Sequence, residues 1–189
     1  MAPDRVADAM RRCPRIRFLP PDQHAGAGSD APLPIGHEQT NSQPSTVAAM
    51  LRLLDVHEGH DVLDVGSGSG WTSAILGELV GPTGSVEAVE RVAELVTRSR
   101  AALAEDAHPR VRVHHARPGT LGLPGLAPFD RILVSAEPAE LPLALVDQLA
   151  ADGVMVIPVA GEMLRVVRGP DGPHVTRHGR YRFVPLVTD

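Results

Sequence analysis

Hydrophobic and polar positions change rhythm as the chain proceeds. Up to Gly36, apolar residues are scattered among Pro14, Pro20, Pro21, Pro32 and Pro34 and the small-residue run Ala25-Gly26-Ala27-Gly28. Proline at that density breaks regular elements, so the pattern predicts one short helix near Arg5–Arg12 and then an irregular strap. Val47, Met50, Leu51 and Leu54 next recur at helical spacing, behind Pro44 as a helix starter and Ser42 as a candidate cap. A helix is expected over about 44–55. From Asp61 the pattern alternates between short apolar strands and helical runs. Strands are expected at Asp61–Val65, Ser85–Val89, Val111–His115, Arg131–Ser135 and Val154–Val159. Helices follow the first strand up to Val80, and are expected again over about Arg91–Glu105 and Leu141–Leu149. Met163–Arg168, His174–Thr176 and Tyr181–Val187 read as antiparallel strands around the turn Gly169-Pro170-Asp171-Gly172-Pro173. No internal repeat is visible. Alternating β and α elements with apolar strands predict an α/β fold: a doubly wound, mostly parallel sheet with an antiparallel C-terminal edge.

Composition narrows the partners. With 189 residues and 43% hydrophobic content the chain can bury the core of one domain, and two would be cramped. Lys+Arg 18 against Asp+Glu 23 gives a net charge of −5, which argues against nucleic-acid phosphates as the partner. The aromatic residues (Phe18, Trp71, Phe129, Tyr181 and Phe183) are too few for a base-stacking platform. Cys13 stands alone, which excludes an internal disulfide and a cysteine-rich zinc site. No apolar run approaches the ~18–20 residues of a membrane span, and no secretory leader is apparent. The expected protein is soluble, cytoplasmic and free of membrane contact. Nothing in the sequence demands assembly, so a monomer is expected.

The densest chemistry is Val62-Leu63-Asp64-Val65-Gly66-Ser67-Gly68-Ser69-Gly70. A glycine-rich turn between strand and helix lets backbone amides approach a ligand at the carboxyl edge of a sheet. A dinucleotide fingerprint needs Gly-x-Gly-x-x-Gly, yet here the third glycine comes one residue early and position 71 is Trp. Gly-x-Gly-x-Gly behind an acidic residue, Asp64, is the form used for S-adenosylmethionine. No Lys-Ser/Thr follows, which excludes a triphosphate P-loop. Glu90, 20 residues beyond Gly70, closes the second strand, where a carboxylate can accept hydrogen bonds from both ribose hydroxyls.

With the loop placed, other segments become legible. Gln39-Thr40-Asn41-Ser42-Gln43-Pro44 resembles the signature of protein-L-isoaspartate O-methyltransferases, usually Gln-Thr-Ile-Ser-Gln-Pro in bacteria. Ala9-Met10, Pro14-Arg15 and Phe18 are similar to that family's opening helix and strap, and Leu33-Pro34-Ile35-Gly36 to its lead-in. Pro128-Phe129-Asp130-Arg131-Ile132, Gln148-Leu149, Gly153, Val156-Ile157-Pro158-Val159 and Arg182-Phe183-Val184-Pro185-Leu186 are similar to its later segments, in the same order. The resemblance covers essentially the whole chain and implies a Rossmann-like methyltransferase fold in one domain, 1–189. Residues 1–55 would be the strap and signature helix, 56–160 the cofactor-binding core and 161–189 the antiparallel end.

The implied reaction is methyl transfer from S-adenosyl-L-methionine to the side-chain carboxylate of an L-isoaspartyl or aspartyl residue in a protein or peptide. S-adenosylhomocysteine would be the co-product, and no metal is required. A carboxylate is ionised at neutral pH, so attack needs alignment within about 3 Å of the methyl carbon and no general base. By resemblance Ser42 aligns it as the catalytic residue, with Thr40 and Gln43 as further substrate contacts. Gln43, with Pro44, chiefly shapes the turn. Cofactor contacts would fall to Gln39, Thr40, Asn41, Asp64, Gly66, Ser67, Gly68, Ser69, Gly70, Glu90, Arg91, Pro118 and Gly119. The methyl ester gives the acyl carbon a methoxide-type leaving group, which departs far more readily than oxide. The next backbone nitrogen can then attack that carbon, expel methanol and close a succinimide. That ring is either a repair intermediate or, on a dedicated ribosomally made peptide, the wanted product.

Three features depart from the family pattern. Arg117-Pro118-Gly119 stands where Gly-Asp-Gly is usual, removing a carboxylate from the adenine side and predicting weaker cofactor affinity. Asn41 replaces an apolar residue and is expected to alter substrate choice. The chain stops at Asp189, leaving Val187 and Thr188 to cover the cofactor.

Other features read as structural. His57-Glu58-Gly59-His60 is one residue short of a metalloprotease motif, and His114 and His115 point to opposite faces of a strand. His115 can nevertheless line the cofactor cleft. Asp64 is expected to bond loop amides, Trp71 to anchor the first helix after the loop, and the charges of 91–105 to form a solvated helix face. Three rivals remain. A nucleic-acid amino-methyltransferase would carry Asp/Asn-Pro-Pro-aromatic where Val134-Ser135-Ala136-Glu137-Pro138 stands. A small-molecule methyltransferase would need a cap or an acid cluster, for which only Glu137 is near. A non-catalytic S-adenosylmethionine-binding protein would bind the cofactor without transferring its methyl.

Overall fold

The computed structural model describes residues 4–105 and 108–187. Seven strands form one sheet: β3 (Asp61–Val65), β4 (Ser85–Glu90), β5 (Val111–His115), β6 (Phe129–Val134), β7 (Leu149–Val159), β8 (Glu162–Gly169) and β9 (Gly172–Arg180). Their order is β5-β4-β3-β6-β7-β8-β9, parallel through β7 and antiparallel for β8 and β9. The chain runs outward from β3 in one direction and returns to build β6 on the other side. The carboxyl ends of β3 and β6 therefore flank the switch point where open α/β sheets form their crevice. This is the α/β, mostly parallel sheet that the alternation of apolar runs predicts.

Side-chain alternation divides the core into two layers. Val62, Leu133 and Val156 pack with one set of buried residues, while Leu63, Ile132, Val134, Met155 and Ile157 join the other. Successive strand residues point to opposite faces, so both faces must be covered. The first layer holds α1 (Arg5–Arg12), α2 (Pro44–Leu54) and α3 (Trp71–Val80); α4 (Ala93–Glu105) buries Val96 and Leu103 in it. α3 buries residues nearly all round, because it lies between the sheet and α1. Each fully buried Leu or Ile there contributes roughly 1.5–3 kcal/mol, so its seat under the glycine loop is firm.

Several boundaries differ from expectation. The helix expected over 141–149 shrinks to α5 (Leu143–Val146), because Pro142 starts it and Leu149 already belongs to β7. Residues 181–187 do not form a third antiparallel strand. They turn back over the sheet edge, and Pro185 pairs with Glu137 in a single parallel bridge. The strap contains a hairpin that the sequence did not announce, β1 (Leu33–Gly36) with β2 (Gln39–Asn41). Its turn residues His37 and Glu38 both have positive φ, 54° and 59°, a conformation usually signalled by Asn or Gly. Contacts from α4 hold this strained turn: Arg98 donates to the Ile35 carbonyl at 2.8 Å, and His37 pairs with Glu94. The charged face of α4 is thus partly committed to the hairpin.

Ser42 does not cap α2. Gln43 flanks the helix without a side-chain cap, and the amide of Ser45 donates instead to Asp30 Oδ1 at 2.8 Å. That amide holds the Asp30 carboxyl below the usual carboxylate range. Trp71 anchors α3 to the strap, donating from Nε1 to the Cys13 carbonyl at 2.8 Å. Among the described residues no helix is long and apolar enough to cross a membrane.

Candidate active site

A cleft of about 370 Å³ opens at the carboxyl ends of β3, β4 and β6, within the size range of small-ligand sites. Its floor is the loop between β3 and α3. Gly66, Gly68 and Gly70 all have positive φ there, and the amides of Gly66 and Ser67 are tied back to the Val89 carbonyl at 2.9 and 3.3 Å. A side chain at Gly68 would also press Ile35 at 3.3 Å, so the turn depends on glycine. Gly70 serves packing: a Cβ would sit 3.0 Å from that of Ser99, away from the cleft.

Glu90, 5% exposed, lines the cleft and organises it. Oε2 accepts from the Gly68 amide and Oε1 from the Val92 amide, each at 2.9 Å. A carboxylate carries about four acceptor sites, so lone pairs remain for a diol. Asp64 takes a different place from the one expected. It is fully buried on the helix side of β3, accepts from the Ser73 hydroxyl at 2.6 Å, and bonds no loop amide. Burial pushes its carboxyl up to about 6, and the neighbouring Glu90 charge adds to the rise. It supports the loop from below and does not line the cleft.

The remaining expected residues divide cleanly. Gln39, Thr40, Asn41 and Ser42 line one wall, brought there by the hairpin. Ser67 and Ser69 join the floor, Arg91 lies beyond Glu90, and Pro118 and Gly119 form the far side with Arg117 and His115. Gln43 stays outside, bonded to Asp30 and Ser45. Asn41 has a job the sequence did not suggest, joining Arg15 and Ser69.

Sequence reasoning missed three supports. Thr72 lines the cleft from the first turn of α3. Gln148 is buried and holds the far wall, donating to the Leu121 carbonyl at 2.9 Å and accepting from the Leu123 amide at 2.8 Å. Glu137 holds the wall formed by Val184–Val187, accepting from the amides of Gly161 at 2.9 Å and Phe183 at 3.1 Å. A polar residue amid apolar ones was the only available signal for either. Val187 lines the cleft as expected, and Thr188 lies outside the described residues.

These residues fit an adenosyl ligand with an amino-acid tail. The glycines let a ligand approach the backbone of the floor closely, and Glu90 offers a buried carboxylate. Ser67 Oγ is buried without a hydrogen-bond partner among the described residues, a donor and acceptor that a polar ligand would satisfy. Among the described residues no cluster of three or more His, Cys, Asp or Glu could hold a metal ion. His57 and His60 bond each other's segment, and His114 pairs with Glu87 at 2.5 Å.

Comparison with known proteins agrees with this geometry. A sequence model of the protein-L-isoaspartate(D-aspartate) O-methyltransferase family matches residues 1–189. A protein-L-isoaspartate O-methyltransferase of Methanococcoides burtonii is 43% identical over 187 residues, covering 97% of this chain and 92% of the relative. That of Aeropyrum pernix is 45% identical over 188 residues, covering 97% and 72%. Among solved structures, a Plasmodium falciparum protein described as a protein-L-isoaspartate O-methyltransferase, in complex with S-adenosyl-L-homocysteine, superposes with a TM-score of 0.88. It is 26% identical and is covered to 93%, with 100% of this chain matched.

Proposed function

This chain belongs to the protein-L-isoaspartate(D-aspartate) O-methyltransferase family, and from that membership we propose that it esterifies L-isoaspartyl side-chain carboxylates of proteins or peptides, using S-adenosyl-L-methionine. The observation that carries the reading is the meeting of the Ser42 segment and the glycine loop in one cleft. When bound, S-adenosyl-L-methionine supplies an electrophilic methyl group on a sulfonium. Glu90 would take the ribose hydroxyls, and the glycine loop, with its unpartnered Ser67 hydroxyl, would lie against the amino-acid tail. Thr40 and Ser42, on the opposite wall, hold the substrate carboxylate by hydrogen bonds. Hydroxyl donors suit the task, because a full ion pair would pull charge from the attacking oxygen. No general base is required, since the nucleophile arrives ionised. The cleft lacks a carboxylate at 117–119, which leaves backbone groups to meet the adenine.

Residues 1–189 act as one catalytic unit in this reading: 1–55 present the substrate wall, 56–160 bind the cofactor and 161–189 close the far edge. We take it as a cytoplasmic monomer acting on polypeptides. The net charge of −5 disfavours nucleic acid. The test is methyl transfer from labelled S-adenosylmethionine to two matched peptides, one isoaspartyl and one aspartyl. Transfer to the isoaspartyl peptide alone supports the proposal; transfer to neither, with cofactor still bound, overturns it and points to a dedicated peptide. Ser42→Ala should lower kcat/KM by about 10²-fold while S-adenosylhomocysteine affinity, read by calorimetry, changes far less. Equal loss of both would remove Ser42 from the carboxylate site.

A further inference from the structure

One buried polar chain joins the two ligand-facing walls of the cleft. Arg15 is 6% exposed, Asn41 4% and Ser69 8%. Arg15 Nε donates to Asn41 Oδ1 at 2.6 Å, and Asn41 Nδ2 donates to Ser69 Oγ at 2.9 Å. The same guanidinium donates to the carbonyls of Asn41 and Ser42, both at 3.0 Å, and lies 5.5 Å from the centre of the Trp71 ring. Arginine is only a donor, so it turns Oδ1 toward itself and Nδ2 toward the glycine loop. Among the described residues, this is the one hydrogen bond between residues 39–43 and 66–70. An apolar residue would seat the segment by contact alone; the amide fixes its distance and its direction.

We propose that Asn41 is a positioning residue that couples the two halves of the cleft, so that filling the cofactor half orders Ser42 and tightens the carboxylate half. This rests on the methyltransferase reading for which ligand enters which half. Ordering a loop costs conformational entropy, and a ligand that fixes residues 66–69 also fixes Ser69. Through Asn41 the Ser42 segment is then held without a second cost, which is positive cooperativity without a large movement. By linkage the effect is reciprocal: a bound peptide tightens the cofactor by the same factor. Arg15 sets the direction of the pair by donating both to the Asn41 side chain and to the carbonyls of Asn41 and Ser42.

The test uses the full chain and two readouts that do not depend on turnover. S-adenosylhomocysteine should slow amide hydrogen exchange in both 66–70 and 39–43. In Asn41→Leu the protection should stay in 66–70 and vanish from 39–43. Calorimetry of an isoaspartyl peptide should show about tenfold tighter binding with S-adenosylhomocysteine present, within the usual span of coupling. That factor should drop below about twofold in Asn41→Leu. Ser69→Ala, which leaves the Arg15–Asn41 bond intact, should lose the same coupling, and the double variant should lose no more. Undiminished protection of 39–43 in Asn41→Leu, or additive losses in the double variant, would overturn the proposal. A lowered melting temperature with the coupling intact would do the same, leaving Asn41 a structural role only. A wild-type protein that shows the exchange coupling but neither binds nor methylates the peptide would refute the substrate reading and leave this one standing.

Discussion

Two arms of chain close the cleft over the same sheet edge, and they are held by opposite charges. The N-terminal arm, residues 29–43, is gripped by a cation: the buried Arg15 donates to the carbonyls of Ser29, Ala31, Asn41 and Ser42. The C-terminal arm, residues 181–187, is gripped by an anion: Glu137 accepts from the amides of Phe183 and Gly161. Its own backbone adds two bonds, from its amide to the Val184 carbonyl at 2.8 Å and from the Leu186 amide to its carbonyl at 2.9 Å. In both, one charged side chain ties the backbone of the arm to that of a neighbouring segment. The difference is depth. Arg15 is sealed under the hairpin against Trp71, whereas Glu137 is half-buried. The substrate-facing arm thus has the more deeply buried anchor, on the wall that aligns a nucleophile.

Removing each clamp should expose that asymmetry. Arg15→Ala strands several buried carbonyls together with Asn41 Oδ1, and should cost about 4 kcal/mol in denaturant unfolding. Arg15→Lys should recover only a small part, because an ammonium cannot spread its donors over that set. A loss under about 1 kcal/mol would show that water replaces the clamp and that the depth argument fails.

The glycine-loop floor, held by neither clamp, should announce itself by pH. Asp64 has a folded pKa raised to about 6 against an ordinary 3.8, so the folded state binds the proton more tightly. Its stabilising contribution is present at low pH and is lost as pH rises from about 4 to 6. Asp64→Asn should remove that loss. Relative to the variant, the wild type should weaken by up to about 3 kcal/mol between pH 4 and pH 7. A flat difference would place the Asp64 carboxyl in a wetter site than its burial indicates.

The smallest effect belongs to the C-terminal clamp. Glu137→Ala leaves two half-buried amides that water can reach, costing about 1 kcal/mol. It should raise the peptide KM several-fold with little change in kcat. Glu137→Gln should restore about half, since its amide oxygen can satisfy only one of the two N–H groups. If Glu137→Ala proves as damaging as Arg15→Ala, the two arms are equally fixed and the comparison collapses.

Most of the scaffold was legible in the sequence. The periods of the apolar residues placed β3 and β5 where they stand and the helix α2 to within a residue, while the density of prolines beyond α1 marked that helix off. Gly66, Gly68, the strand-end Glu90 and residues 39–42 of the signature all line the cleft, while Gly70, Gln43 and Pro44 lie outside its lining. What escaped were positions set by contacts between distant segments. The β1–β2 turn is carried by His37 and Glu38, residues that no turn rule selects, because α4 braces it from outside. The segment 181–187 has the apolar content of a strand, but its partner is the loop at Glu137 and not β9. Asp64 sits inside the glycine-loop motif yet faces Ser73, because strand alternation turns it to the helix side.

The sequence by itself determined the order of elements, the two-layered core and the class of ligand the loop admits, because periodicity and glycine placement act within a few residues. Only the tertiary structure decided which polar groups share a site. Arg15, Asn41 and Ser69 are separated by 26 and 28 residues and meet because the hairpin folds onto the loop. Buried polar atoms must find partners wherever the fold brings them, and that choice is made in space.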